Sequence, residues 1–100
     1  MHWIGHYGTL GTPESSWSPC VIDNISAEGA GTVVQGGRAV DVGQQIAIDI
    51  ERIGVTPVGL RVNGVVRHVS EQEPDDVVFG VELRFSTREE LATARQLFAG

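Results

Sequence analysis

From the start of the chain to about Phe85, apolar residues recur at every second position, and clusters of Gly, Pro and Asp cut the pattern at short intervals. A repeat of two is the repeat of an extended strand, whose successive side chains point to opposite faces. The clearest case is Val77 to Phe85. There Phe79, Val81, Leu83 and Phe85 share one face, and Val78, Gly80, Glu82 and Arg84 share the other. Such alternation describes a half-buried antiparallel strand. Ile46, Ile48 and Ile50 make a second strand, with Ala47 and Asp49 facing outward. Between them, Val58 to Val69 sets Leu60 and Val62 opposite Arg61 and Asn63, and Gly64 interrupts the run, which predicts a bulge or bend. Shorter strands are expected at His2–Tyr7, with Trp3 as an anchor, at Cys20–Asp23 and at Gly31–Val34. Gly36-Gly37 and the Gln72–Asp76 stretch around Pro74 read as turns. Many short strands with little helix describe a sandwich or small barrel, and a barrel leaves no sheet edge to protect.

The period then changes. Ser86 and Glu89 have the S-x-x-E form of a capping box. Beyond them Leu91, Ala94 and Phe98 recur at helical spacing, with Leu97 beside them and Arg88, Glu89, Glu90, Arg95 and Gln96 opposite. This predicts one amphipathic helix over about 87–99, its Leu91–Phe98 stripe packed on a barrel of about 2–85. No repeat, linker or low-complexity stretch divides the chain, so its 100 residues read as one domain. A chain of that length buries only about two-thirds of its unfolded surface, which leaves little room for an internal catalytic cavity.

Charge and cysteine content narrow the function classes. The net charge of −6 argues against DNA or RNA binding and against adsorption to anionic membranes. All seven basic residues are Arg. Cys20 stands alone, so neither a disulfide framework nor a cysteine-rich zinc site is expected. No charged leader or membrane-length apolar run is visible, which gives a soluble, cytoplasmic reading.

Most informative is the stretch from Cys20 to Gly31, where Asn24, Ser26 and Gly29 form Asn-x-Ser-x-x-Gly between two apolar strands, with Asp23 just ahead. Asn and Ser hold turns by bonding their own backbone, and Gly admits geometries that a side chain forbids. On chemistry alone this is an Asx-type turn. The segment nevertheless resembles the second motif of the PilZ family, the small bacterial domains that bind cyclic di-GMP, position by position from Asn24 to Gly29. The likeness extends through the strand after the motif, Ile46–Ile50, the Gly-Val-Val-Arg strand at Gly64–Arg67, and Phe79–Phe85 running into the helix. It implies a mainly β fold, a six-stranded antiparallel β-barrel with one C-terminal α-helix. It further implies a signalling module that is not an enzyme, with cyclic di-GMP as ligand and no cofactor. Asp23, Asn24, Ser26 and Gly29 then form the ligand-binding half-site, in which Asn24 and Ser26 bond a guanine.

The family's other half-site, an Arg-x-x-x-Arg motif before the first strand, is absent, since the first Arg is Arg38. Hydrogen bonds to charged groups are worth about 1.5–3 kcal/mol each, so losing two weakens binding by a factor of about 10² to 10⁴. Either a segment upstream of Met1 carries the arginines, or Arg38, Arg61 or Arg67 reaches the site from elsewhere on the barrel. Otherwise the domain is a cyclic di-GMP-independent adaptor that binds a protein of motility, secretion or polysaccharide-export machinery. Remaining constellations read as structural. His2 and His6, four apart on a strand, are poorly spaced to grip one metal ion. His68 with Ser70, or Cys20 with a histidine, lacks a nucleophile elbow and an orienting carboxylate. Glu71, Glu73, Asp75 and Asp76 form a solvated acidic tip, without the spacing of a calcium loop. Trp17, in a Ser/Pro-rich loop, is expected either to cap the barrel mouth or to meet a partner.

Overall fold

The computed structural model describes residues 3–23, 32–74, 76–85 and 87–98. Six strands run in order: β1 (Trp3–Thr9), β2 (Ser18–Asp23), β3 (Thr32–Gly36), β4 (Gln45–Ile53), β5 (Thr56–Glu73) and β6 (Asp76–Arg84). They close as a barrel in the order β1-β2-β3-β6-β5-β4, every pair antiparallel. The expected architecture is therefore the one observed, with one helix, α1 (Arg88–Phe98), after the last strand. His2, Gly31 and the final two residues, at the margins of expected elements, lie outside the described residues.

Closure depends on β5, the longest strand at 18 residues. Its first part pairs with β4 from Ile53↔Thr56 to Gln45↔Val65. Its second part pairs with β6 from Asn63↔Arg84 to Glu73↔Asp76. A strand that serves two neighbours at staggered register must coil, and bulges supply that curvature. They fall between Val66 and His68, between Val69 and Glu71, and between Ile50 and Arg52. Gly64 is not among them, contrary to expectation. The ladder runs unbroken through Gly64 to Ile46 and Leu83. A Cβ at Gly64 would instead run into Val81, so the glycine is needed for close approach.

The core is made by the alternating residues. Ile22, Val34, Ile46, Ile48, Ile50, Val62, Val66, Val77, Phe79 and Val81 are buried in one cluster, with Phe85 half-buried at its margin. Ala47 departs from the simple alternation. It occupies an outward position but is only 3% exposed. It pairs with Gly8, against which the Trp17 side chain lies. Tyr7 is buried to 0% exposure and its ring meets Phe79 at 5.2 Å between centroids. Gly36 leaves the space that the Tyr7 ring fills. The Tyr7 hydroxyl donates to the Arg38 carbonyl at 2.5 Å and accepts from the Arg38 N–H at 2.8 Å. A polar tip is thus satisfied inside an apolar wall, and the chain leaving β3 is fixed to β1.

The helix differs from expectation at its cap. Its cap is one residue later: the Glu90 N–H donates to Thr87 Oγ1 at 3.1 Å, so Thr87 and Glu90 occupy the T-x-x-E frame. Ser86 lies outside the described residues. Of the expected stripe only the Leu91 side chain is described, and it is half-buried; the side chains of Ala94, Leu97 and Phe98 lie outside the described residues.

Replacing Tyr7 with Phe should strand the Arg38 N–H and carbonyl and cost about 1–3 kcal/mol. In urea, the unfolding midpoint of Tyr7→Phe should fall with an unchanged slope. Gly36→Ala, which puts a Cβ into the Tyr7 ring, should cost more.

Candidate functional site

Asp23 ends β2 and Thr32 opens β3, so these two residues bracket the Asn-x-Ser-x-x-Gly segment. Asn24, Ser26 and Gly29 themselves lie outside the described residues. The brackets are held by register. Asp23 pairs with Val33, and Ile22 pairs with Trp3 on β1. On the other side Thr32 pairs with Val81 and Val33 with Gly80 on β6. Thr32 is fully buried and its Oγ1 finds no hydrogen-bond partner among the described residues.

On the outer wall, register aligns Asp23, Val33, Gly80 and His68 across β2, β3, β6 and β5. The His68 imidazole lies against Gly80, where any Cβ would collide with the ring. That contact explains why Gly80 is buried on an outward position. Next to this row, Glu82 accepts from Arg67 Nε at 2.8 Å and stands 2.7 Å from Arg67 Nη2. Its other oxygen is 3.4 Å from Arg84 Nη2. Two guanidinium groups thus share one carboxylate, a local excess of positive charge on an acidic chain. Beyond Arg84 the wall forms a cleft of about 430 Å³ between Leu10, Gln45, Asn63, Val65 and Arg84.

The three arginines considered as replacements for the missing motif are thereby sorted. Arg38 leaves β3 beside the start of β2, where Gly37 N–H donates to Ser18 Oγ at 3.3 Å. Ser18 and Asp23 are about 16 Å apart along the strand at about 3.3 Å per residue. Arg38 also donates to the Ser16 carbonyl. Arg61 lies with its guanidinium carbon 5.0 Å from the Trp17 ring centroid and is paired with Glu14 and, at 3.8 Å, with Asp49. Its wall is that of His6, Glu14, Trp17, Asp49 and Glu51, around a cleft of about 220 Å³. Trp17 therefore neither caps the mouth nor stands free: it lies half-buried on Gly8 beneath Arg61. Of the three, only Arg67 lies on the part of β5 that pairs with β6, next to β3. Arg84, not among the three, accompanies it on β6. The signal was present, because alternation from Phe79 to Phe85 puts Glu82 and Arg84 together on the outward face.

The other sequence candidates are separated. His6 Nδ1 is 2.5 Å from Glu51 Oε1. Among the described residues no group of three or more His, Cys, Asp or Glu is placed to hold a metal ion. Cys20 is buried under the wall of β1 and β3. Burial, with the Glu51 charge adding to it, pushes its thiol up from 9.0 to about 12. Burial likewise raises the Tyr7 hydroxyl, an effect that its Arg38 backbone bond partly offsets.

A family model for the PilZ domain matches residues 9–100. Searches of curated proteins and of solved structures return no match. A match over that span, on a closed six-stranded barrel with a helix after it, places the chain in the PilZ family. PilZ domains are signalling modules of the cyclic di-GMP-binding type and are generally binding modules without enzymatic activity.

The raised thiol gives a signed expectation. With a folded pKa above the unfolded one, Cys20 contributes stability that is full below pH about 9 and is lost as pH rises toward about 12. Native protein at pH 8 should therefore react with a thiol-specific disulfide reagent only at the rate of unfolding, and the rate should rise steeply in urea. Stoichiometric reaction within the mixing time would contradict the assignment.

Proposed function

We propose that this PilZ domain is a non-enzymatic cyclic di-GMP receptor whose nucleotide site is built around Asn24, Ser26 and Gly29. The observation that supports this most is the bracketing of that segment by Asp23 and Thr32 on adjacent, register-locked strands. Strand ends fixed by register on both sides of short hydrogen-bonding residues limit the ordering cost of binding a ligand between them. Asn24 and Ser26 present amide and hydroxyl groups suited to a guanine edge, and Asp23 supports them from the strand end. Gly29 lets the backbone approach the ligand.

The first Arg of the sequence is Arg38. Binding requires no cofactor and breaks no bond. Its output is the altered surface around the loop, read by a protein partner in the bacterial cytoplasm. One observation favours a second reading, a nucleotide-independent adaptor: a groove of about 540 Å³ that includes Ile4, Pro19 and Val21 lies open on the β1–β2–β3 wall.

Calorimetric titration with cyclic di-GMP decides between them. The receptor reading expects saturable binding that an Asn24→Ala, Ser26→Ala variant weakens at least about tenfold. Absence of heat up to millimolar ligand would leave the adaptor, whose partner should be captured equally with and without the nucleotide.

A further inference from the structure

In a chain of net charge −6, the cleft of about 430 Å³ beside Arg84 is lined by no carboxylate of the described residues. Strand register builds it. Asn63 pairs with Arg84, and two positions on Val65 pairs with Glu82 and with Gln45. Opposite residues on one face of a sheet stand about 5 Å apart, so the Asn63 amide and the Arg84 guanidinium rise side by side. Leu10, whose N–H donates to the Gln45 carbonyl at 3.2 Å, closes the other side and is 42% exposed. Arg84 and Asn63 thus give the cleft a polar side, and Leu10 and Val65 an apolar one, with Gln45 between the last two.

The Arg84 guanidinium is the uncommitted group here. Arg67 meets one Glu82 oxygen with two donors, Nε at 2.8 Å and Nη2 at 2.7 Å, and so neutralises that carboxylate. Arg84 Nη2 stands 3.4 Å from the other oxygen, beyond the usual hydrogen-bond range, and meets no other partner among the described residues. The Asn63 and Gln45 side-chain amides likewise make no hydrogen bond among the described residues. Two guanidinium groups against one carboxylate leave a single positive charge, which a monoanion balances and a dianion exceeds. A guanidinium fork matches the two coplanar oxygens of a carboxylate, the adjacent amides both donate and accept, and Leu10 and Val65 cover a branched apolar group. We propose that the cleft binds a monocarboxylate bearing an amide and a branched apolar side chain, the chemistry shared by an N-acylated amino acid and a peptide C-terminus ending in leucine or valine. The site uses no residue of the Asn24–Gly29 segment and does not depend on the nucleotide reading.

Amide chemical shifts of the isotope-labelled chain are followed during titration with N-acetyl-leucine, with its uncharged carboxamide, and with a short acetylated peptide ending in leucine and a free carboxylate. N-acetyl-leucine should shift the Gly64, Val65 and Arg84 amides saturably, and the carboxamide should bind at least about tenfold more weakly. Arg84→Gln should weaken carboxylate binding by a similar factor and Asn63→Ala by less. Glu82→Gln, which removes a like charge beside the ligand, should tighten it. Arg52→Gln, which removes a positive charge from an exposed position outside the cleft, should leave affinity unchanged. Thermal unfolding checks that each variant folds. Tighter binding of the peptide than of N-acetyl-leucine supports the proposal with a partner's chain end as the source, and equal binding supports it with the acyl amino acid sufficient. The proposal is overturned if neither carboxylate binds, if the carboxamide, acetate or dimethyl phosphate binds as tightly as N-acetyl-leucine, or if Arg84→Gln leaves affinity unchanged.

Discussion

Closure of the barrel along β5 is the constraint from which the remaining geometry follows. One strand satisfies backbone groups on β4 with its first part and on β6 with its second, overlapping at Asn63 to Val65. Because each pairing fixes register, and a slip of one residue would turn the apolar set outward, the outer wall is specified as firmly as the core. The same staggering carries Asn63 and Val65 beside Arg84 and Glu82. Sequence neighbours could not have produced that grouping, since its members come from both β5 and β6.

Two anchors act on this frame. Tyr7 fills the space over Gly36 and returns its hydroxyl to the backbone of Arg38, tying β1 to the exit of β3. Trp17 covers Gly8, opposite Ala47, on the outer wall, with Arg61 above it. Both depend on glycines that let an aromatic ring approach the sheet closely, so the loops between β1 and β2 and between β3 and β4 are pinned by packing at one side of β2. The motif segment leaves from its other end. The arginines are thereby separated: Arg38 and Arg61 serve the anchors, while Arg67 and Arg84 share the Glu82 carboxylate on the β5–β6 wall.

Much of this was legible in the chain. Period-two alternation located every strand, and the Asn24–Gly29 spacing, with the strands after it, pointed to the family that the domain match bears out. What failed to show in the sequence was long-range. Gly64 carries the same local signature as a bulge glycine, and only the Val81 side chain opposite it reveals a close approach. Ala47 looks solvent-facing by parity, and its burial comes from Trp17, thirty positions away in the chain. The cap frames Ser86–Glu89 and Thr87–Glu90 overlap by one residue, and the hydrogen bond to Glu90 selects the second. Arg84 was in plain view as an outward residue, but the placing of its strand beside β3 required the Thr32↔Val81 register.

The central claim is that the Asn24–Gly29 segment carries the nucleotide site, and amide chemical-shift mapping tests it most directly. Cyclic di-GMP added to the isotope-labelled chain should perturb residues from Asp23 to Thr32. Shifts on the Gly8, Trp17 and Asp49 wall should be negligible. Saturating ligand with no perturbation from Asp23 to Thr32, or perturbation found instead around Trp17 and Arg61, would contradict the account.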